Sequence, residues 1–208
     1  MIVQGSPEWF AMRAGKVTAS RVADVIARTK TGWGASRANY AAELIAERLT
    51  GTTAPSFTNA AMQWGTDQEP VARQVYATSR TTLGVSEIGF VDHPEISMSG
   101  ASPDGLVGPT GLVEIKCPNT ATHLDTLLGE TVPGKYVTQM QWQMACTGRE
   151  WCDFVSFDPR LPESMAMFVQ RVPRDVSHIL ELETEVAAFI REIDEKVARL
   201  TERYRVAA

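Results

Sequence analysis

The stretch that decides the fold is SPDGLVGPTGLVEIKCP, residues 102–118. Short runs rich in Val, Leu and Ile lie on both sides of a GPTG turn at 108–111, which predicts two strands joined as a hairpin. Side chains alternate along a strand, so Glu114 and Lys116 project from the same face. Asp104 stands where the preceding strand begins. The hairpin is therefore expected to bring two carboxylates and an amine together.

Carboxylates in this arrangement are typical ligands for magnesium or manganese, which prefer hard oxygen donors. A bound ion would activate water and stabilise charge on a phosphorus transition state, while Lys116 orients or deprotonates the attacking water. The alternative interpretation is an exposed Glu-x-Lys pair and an ordinary Asp-Gly turn. The context favours the metal site, because Pro103 constrains the backbone of Asp104 and apolar neighbours, Ile115 among them, flank Glu114. A metal-dependent nuclease is the favoured interpretation.

The rest of the chain predicts one domain over residues 1–208, of α/β or α+β class, with a mixed sheet flanked by helices. The apolar periodicity predicts helices at 18–28, 36–50, 64–78, 133–148 and about 175–204. Runs rich in β-branched residues predict strands at 85–92, 97–101, 104–107, 111–117, 151–157 and 166–172. A loop is expected at 29–35, and Pro70 is expected to be tolerable only in the first turn of its helix.

Composition narrows the class of protein. The 208 residues include 44 % hydrophobic and 22 % charged residues, and no apolar run approaches the length of a membrane span. We therefore expect a soluble, cytoplasmic protein without a membrane partner. The three cysteines form no CxxC pair and cannot supply a four-cysteine iron–sulfur site. The net charge is −5, yet residues 1–60 carry seven Lys or Arg against four Asp or Glu, while residues 61–120 carry three against seven. This distribution suits a polyanion binder whose central carboxylates hold metal cations. It equally suits ordinary surface variation, and charge alone does not choose between the two.

The chain resembles the lambda exonuclease family, the YqaJ-like viral recombinases, in the order of its motifs. The matching motifs are WFAMRAGKVTAS at 9–20, Trp64-Gly65 followed by Glu69, SPDG at 102–105, EIKCP at 114–118, QMQ at 139–141 and FDPR at 157–160. Each is weakly specific alone. Their order and spacing, over residues 9 to about 172, are highly specific.

The resemblance implies a restriction-endonuclease-like PD-(D/E)XK core and a magnesium-dependent exonuclease, with Mn²⁺ as a substitute ion. Such an enzyme digests linear double-stranded DNA from a 5′-phosphorylated end, in the 5′-to-3′ direction, and leaves a 3′ overhang. The resemblance further implies a ring-shaped homotrimer around the DNA and a single-strand annealing protein as partner. The expected setting is phage-type recombination in the cytoplasm of a bacterial host.

The resemblance also implies a catalytic centre. By motif, Asp104, Glu114 and the main-chain carbonyl of Ile115 correspond to the metal ligands. Lys116 corresponds to the catalytic lysine, and Glu69 to an additional acidic residue from the preceding helix.

Arg13, Ser20 and Gln139 correspond by motif to a pocket for the 5′-phosphate. The first turn of a helix at Ser20 would favour an anion, and Arg13 would add a bidentate grip. From the residues alone, the favoured interpretations are a helix cap for Ser20 and a surface charge for Arg13. Gln139 is then one of several polar residues of its helix, and only the resemblance singles it out. Trp9 corresponds to an aromatic residue near the terminal base, with a core tryptophan as the alternative.

Two rival functions follow from the same residues. An endonuclease with the same core would cut closed circular DNA, which an exonuclease would spare. A non-catalytic protein that binds DNA ends would show no magnesium-dependent cleavage. The intact Asp104, Glu114 and Lys116 favour an enzyme.

Overall fold

The computed structural model describes residues 4–53 and 59–204 and has a mixed α/β architecture. Its α-helices are α1 (Pro7–Arg13), α2 (Val22–Val25), α3 (Ala35–Thr50), α4 (Ala60–Ser79), α5 (Thr120–Gly129), α6 (Gly134–Thr147) and α7 (Val176–Tyr204). Its strands are β1 (Val17–Thr18), β2 (Arg28–Thr29), β3 (Gly32–Trp33), β4 (Val85–Ser86), β5 (Val91–Asp92), β6 (Ser99–Ala101), β7 (Gly105–Val107), β8 (Gly111–Lys116), β9 (Trp151–Phe157) and β10 (Met167–Pro173). Within the described residues, no helix combines the length and apolar character that crossing a membrane requires.

The central sheet contains five strands in the order β10-β9-β8-β7-β4. β8 and β9 are parallel, with α5 and α6 in the connection between them, and the other neighbours are antiparallel. A smaller sheet has the order β1-β6-β5, in which β1 and β6 are parallel. The expected mixed sheet flanked by helices is thus confirmed, with β8, the strand of Glu114 and Lys116, at its middle.

Two helices cover the two faces of the central sheet. On one face, Tyr76 of α4 belongs to the same buried cluster as Val113 and Ile115 of β8. On the other face, Met140 of α6 belongs to a cluster with Leu112 of β8. A third cluster joins α7 to α2, α3 and α6 through apolar residues that recur at three- and four-residue steps. Alternate side chains of β8 therefore face α4 and α6, and the even-numbered ones meet α6.

The strongly periodic segments form the predicted elements. α3 and α6 each end at a glycine in the left-handed conformation, Gly51 (φ 67°) and Gly148 (φ 70°), as the sequence predicts for helix C-caps. The hairpin β7-β8 pairs Gly105 with Val113 and closes through the predicted turn. β9, β10 and α7 also lie within two residues of their predicted limits.

The segments next to the site differ from expectation. The predicted strand 85–92 is wrong as one element, because β4 pairs with β7 in the central sheet while β5 pairs with β6 in the smaller one. The predicted helix 18–28 is a 3₁₀ turn (Ala19–Arg21) followed by the single turn of α2. After α2, the predicted loop 29–35 contains most of a short antiparallel hairpin, in which β2 and β3 have two residues each.

Two further differences concern helices. α4 begins four residues earlier than predicted, with Asn59 as its cap, so Pro70 lies in the helix interior rather than in the first turn. Pro70 and Thr66 are both exposed, so water can solvate the carbonyl that lacks its helical donor. Helix α5 was not predicted, although the Asn119 side chain accepts a hydrogen bond from the Thr122 N–H (2.9 Å) as a typical N-cap.

Candidate active site

Glu114 lies at the centre of a buried polar group. It projects from β8 towards α6 with 0 % of its surface exposed, and Lys116 projects from the same face, as predicted. The ammonium of Lys116 forms an ion pair with Glu114 Oε1. Gln139 Nε2 donates to the same oxygen (2.7 Å), and Gln143 Nε2 donates to Oε2 (2.6 Å). Both oxygens of a fully buried carboxylate are therefore held by charged or polar donors, as burial of a charge requires.

Asp104 joins this group through the backbone of β8. Its Oδ2 accepts a hydrogen bond from the N–H of Ile115 (2.6 Å), which places the carboxylate beside the Glu114–Lys116 segment. Burial raises the pKa of Asp104 well above its usual value, and the negative charges of Glu114 and Glu69 raise it further, against the opposing effect of Lys116. Closely spaced carboxylates of this kind favour a bound cation, because its charge relieves their mutual repulsion.

Glu69 comes from α4, on the opposite side of the hairpin. Arg73, one helical turn further along, forms an ion pair with Glu69 and donates from Nε to the main-chain oxygen of Asp104 (2.9 Å). Its Nη1 lies 3.0 Å from Glu87 Oε1. Burial raises the pKa of Glu69 despite Arg73. Arg73 thus links the carboxylate of Glu69 on α4 to the main chain at Asp104. Sequence reasoning missed it, although a cation four residues after Glu69 was a visible signal.

Lys116 is a charged group in this environment. Burial alone lowers the pKa of Lys116, but the carboxylates of Glu114 and Asp104 raise it by more, so the net shift is upward. Its Nζ also lies 5.3 Å from the centre of the Tyr136 ring. The ion pair with Glu114 holds the ammonium in place, and of the two roles expected for Lys116 this contact suits the orientation of a water.

A small cavity adjoins the carboxylates. Its volume is about 160 Å³, and Asp104 contributes to its wall. The predicted phosphate residues and the predicted aromatic residue all line this cavity: Arg13, Ser20, Gln139 and Trp9. The structure therefore brings together residues that are more than 100 positions apart in the sequence.

Trp9 supports this cavity from α1. Its Nε1 donates to Ser102 Oγ (2.9 Å), and the guanidinium carbon of Arg13 lies 3.8 Å from the centre of its ring. Burial lowers the pKa of Arg13, although nearby Glu47 opposes the effect. Ser102, which also lines the cavity, is a polar residue that sequence reasoning missed. Trp9 is thus neither a core residue nor fully exposed, and it orders two polar side chains.

The helix-dipole argument for Ser20 does not hold. Ser20 lies in the three-residue 3₁₀ turn, and α2 adds one turn only, so the macrodipole behind it is small. The side chain is exposed and lines the cavity, so its hydroxyl is accessible from that space. The signal that identified it was the motif, and the local helix length was overestimated.

A larger cleft of about 740 Å³ continues from the small cavity. Ser20 and Gln139 line both spaces, while Glu69 and Lys116 line only the cleft. Ser20 and Gln139 thus stand where the two spaces meet, with Asp104 on the wall of the small cavity and Glu69 on the wall of the cleft.

The carboxylates fit a divalent cation of the magnesium type. In residues 4–53 and 59–204, no group of three or more His, Cys, Asp or Glu side chains has metal-binding geometry. Asp104 and Glu114 are two side-chain carboxylates that could hold a shared ion, and Ile115, whose carbonyl is the third expected donor, directly follows Glu114 and donates its N–H to Asp104. All of these donors are hard oxygen atoms, which match Mg²⁺ or Mn²⁺ better than zinc.

Comparison with known proteins agrees with this geometry. Residues 8–150 match the YqaJ-like viral recombinase domain. An alkaline exonuclease from Laribacter hongkongensis, LHK-Exo, is 55 % identical, with a TM-score of 0.90 over 96 % of this chain and 98 % of that chain. The same figures hold for LHK-Exo in complex with dAMP.

A phage-related exonuclease from Haemophilus somnus 129PT shares the fold at 18 % identity, with a TM-score of 0.72 over 89 % of this chain and 96 % of that chain. No curated protein matches the sequence. The matched domain covers most of the chain, including α1, the hairpin β7-β8 and α6. The chain therefore belongs to the YqaJ-like viral recombinase family.

Proposed function

We propose that this protein is a magnesium-dependent exonuclease that digests linear double-stranded DNA in the 5′-to-3′ direction from a 5′-phosphorylated end. One observation carries the proposal: the small cavity lined by Arg13, Ser20 and Gln139 ends beside Asp104. A cation, a hydroxyl and an amide suit a terminal phosphate, and the carboxylates suit hydrolysis of the next phosphodiester. The similarity to exonucleases supports the same activity.

In this proposal, Asp104, Glu114 and the Ile115 carbonyl hold Mg²⁺, or Mn²⁺ in its place. The bound ion supplies a water of lowered pKa and stabilises negative charge on the phosphoryl oxygens. Lys116, as an ammonium, orients the attacking water and stabilises developing charge. Glu69, held by Arg73, adds a carboxylate at the edge of the cleft.

Arg13, Ser20 and Gln139 seat the terminal phosphate, and this contact selects an end rather than a base sequence. Contacts to phosphates position a nucleic acid without reading its sequence, so the cleavage should show little sequence preference. Trp9 stiffens the pocket through Arg13 and Ser102, and its ring offers a stacking surface for the terminal base.

The test uses a linear duplex with and without a 5′-phosphate, beside a covalently closed circle, in Mg²⁺ and in chelator. We expect Mg²⁺-dependent loss of the linear duplex, faster with the phosphate, release of mononucleotides from the 5′ end, and an intact circle. Cutting of the circle would establish an endonuclease instead. Binding of ends without cleavage in Mg²⁺ would leave a non-catalytic end-binding protein.

We further propose, from the family membership, a ring-shaped homotrimer and cooperation with a single-strand annealing protein in the cytoplasm of a bacterial host. Light scattering after size exclusion gives the oligomeric state directly. Annealing of the 3′ overhangs left by digestion, with and without a candidate annealing protein, tests the partnership.

A further inference from the structure

Helix α6 buries three glutamines with different surroundings. Gln139 lines both the small cavity and the larger cleft, and it contacts Glu114. Gln141 bridges α6 to the start of α7, donating to the Pro173 carbonyl and accepting from the Asp175 N–H, both at 2.9 Å. Gln143 lines neither of the two cavities and is 0 % exposed.

Only one of the two polar atoms of the Gln143 side chain has a hydrogen-bond partner among the described residues. Its Nε2 donates to Glu114 Oε2 (2.6 Å), but its buried Oε1 has no hydrogen-bond partner in the described part of the chain. A buried acceptor without a partner costs free energy, and an apolar side chain of similar shape would avoid that cost. Packing alone therefore does not explain why an amide occupies this position. The single hydrogen bond of the Gln143 side chain, to Glu114, does explain it.

The three donors to Glu114 differ in what else they do. Under the proposed function, Gln139 also faces the terminal phosphate and Lys116 also faces the attacking water, so substrate competes for both. Both of these donors contact Oε1. Gln143 holds the opposite oxygen from behind, away from the cleft. Substrate therefore does not compete for the hydrogen bond that Gln143 donates to Glu114.

We propose that Gln143 is a positioning residue that fixes the orientation of the Glu114 carboxylate for a divalent cation. This inference rests on the proposed function, in which Glu114 holds the ion. Polar groups that orient a metal ligand typically change metal affinity 10- to 100-fold when removed. Gln143 acts through Glu114 and touches neither ion nor DNA.

The test compares Gln143→Met with Gln141→Met, two identical substitutions at buried glutamines of the same helix. Mn²⁺ binding to the full chain without DNA is measured by calorimetry, and the Tm by circular dichroism. For Gln143→Met we expect roughly 10- to 100-fold weaker Mn²⁺ binding together with a lower Tm, because the buried Glu114 Oε2 loses its donor. For Gln141→Met, which loses two main-chain hydrogen bonds, we expect a lower Tm and unchanged Mn²⁺ affinity.

Mn²⁺ affinity of Gln143→Met within twofold of the unchanged protein would overturn the inference. Should that variant fail to fold, Gln143→Asn, whose shorter amide falls short of Glu114, gives the same comparison. Glu114→Gln separates this inference from the proposed function. If Glu114→Gln leaves Mn²⁺ binding intact, the metal role of Glu114 fails, and the inference about Gln143 fails with it. If only Glu114→Gln weakens binding, the inference alone is wrong.

Discussion

Replacing Gln139 by methionine separates recognition of the 5′-phosphate from catalysis. Methionine fills nearly the same space but cannot donate, so the variant loses the hydrogen bond to Glu114 Oε1 and any hydrogen bond to a phosphate in the small cavity. Glu114 keeps Lys116 and Gln143, so we expect the chemistry on a 5′-hydroxyl end to slow less than tenfold.

The loss on a phosphorylated end should be larger. A hydrogen bond to a charged group contributes about 1.5–3 kcal/mol, and about 1.4 kcal/mol corresponds to a factor of ten. We therefore expect the ratio of kcat/KM for phosphorylated over unphosphorylated duplex to fall about 10- to 150-fold. The assay follows initial release of mononucleotides from matched duplexes that differ only in the 5′ group.

Gln141→Met is the matched control, since Gln141 lies on the same helix and lines neither cavity. Its ratio should equal that of the unchanged protein. An unchanged ratio in Gln139→Met, with the protein folded, would refute the assignment of Gln139 to the phosphate pocket. An equal loss on both ends would show that Gln139 acts only through Glu114.

Three further predictions concern catalysis, pH and packing. Lys116→Ala should lower the cleavage rate roughly 10²- to 10⁴-fold in single-turnover assays while DNA binding by fluorescence anisotropy persists; normal turnover would remove Lys116 from the mechanism. Burial alone would raise the pKa of Asp158, but hydrogen bonds from Arg160 lower it to about 2, so its contribution of about 1–2 kcal/mol to stability should be present above pH 4 and lost as the pH falls towards 2. In denaturant titrations across that range, Asp158→Asn should lose this pH dependence, and a variant that retains it would contradict the assignment. Gly111→Ala should lower the free energy of unfolding by at least about 1–3 kcal/mol, because an added Cβ would lie 2.2 Å from the Trp151 ring; an unchanged Tm would show that the ring moves aside freely.

The parts of the fold that could be predicted share one property: the apolar pattern within each element shows which of its faces is buried. α7 repeats apolar residues over its whole length, and β8 alternates between an apolar face and the face of Glu114 and Lys116. The break of 85–92 into β4 and β5 carries no such signal, because both halves are rich in strand-forming residues. Only the choice of partner, β7 or β6, separates them.

The candidate site shows the same limit. Asp104, Glu114 and Lys116 are close in sequence, so strand alternation and a turn predict their meeting. Arg73 and Gln143 contact these residues from other elements, at separations of about 30 positions, and nothing local marks them. Helix α2 was predicted too long because Val22, Val25 and Ile26 share a face, while the pairing of β2 with β3 ends the helix early.

The short connection between the two sheets has a consequence for tolerance to insertions. β6 belongs to the smaller sheet and β7 to the central one, and only residues 102–104 link them. Ser102 at one end of this link contacts Trp9, and Asp104 at the other end contacts β8. One extra residue here would shift the small cavity relative to the carboxylates, although every residue of the candidate site would still be present in the sequence. This tripeptide should therefore tolerate no change in length, in contrast to the surface turns elsewhere in the chain.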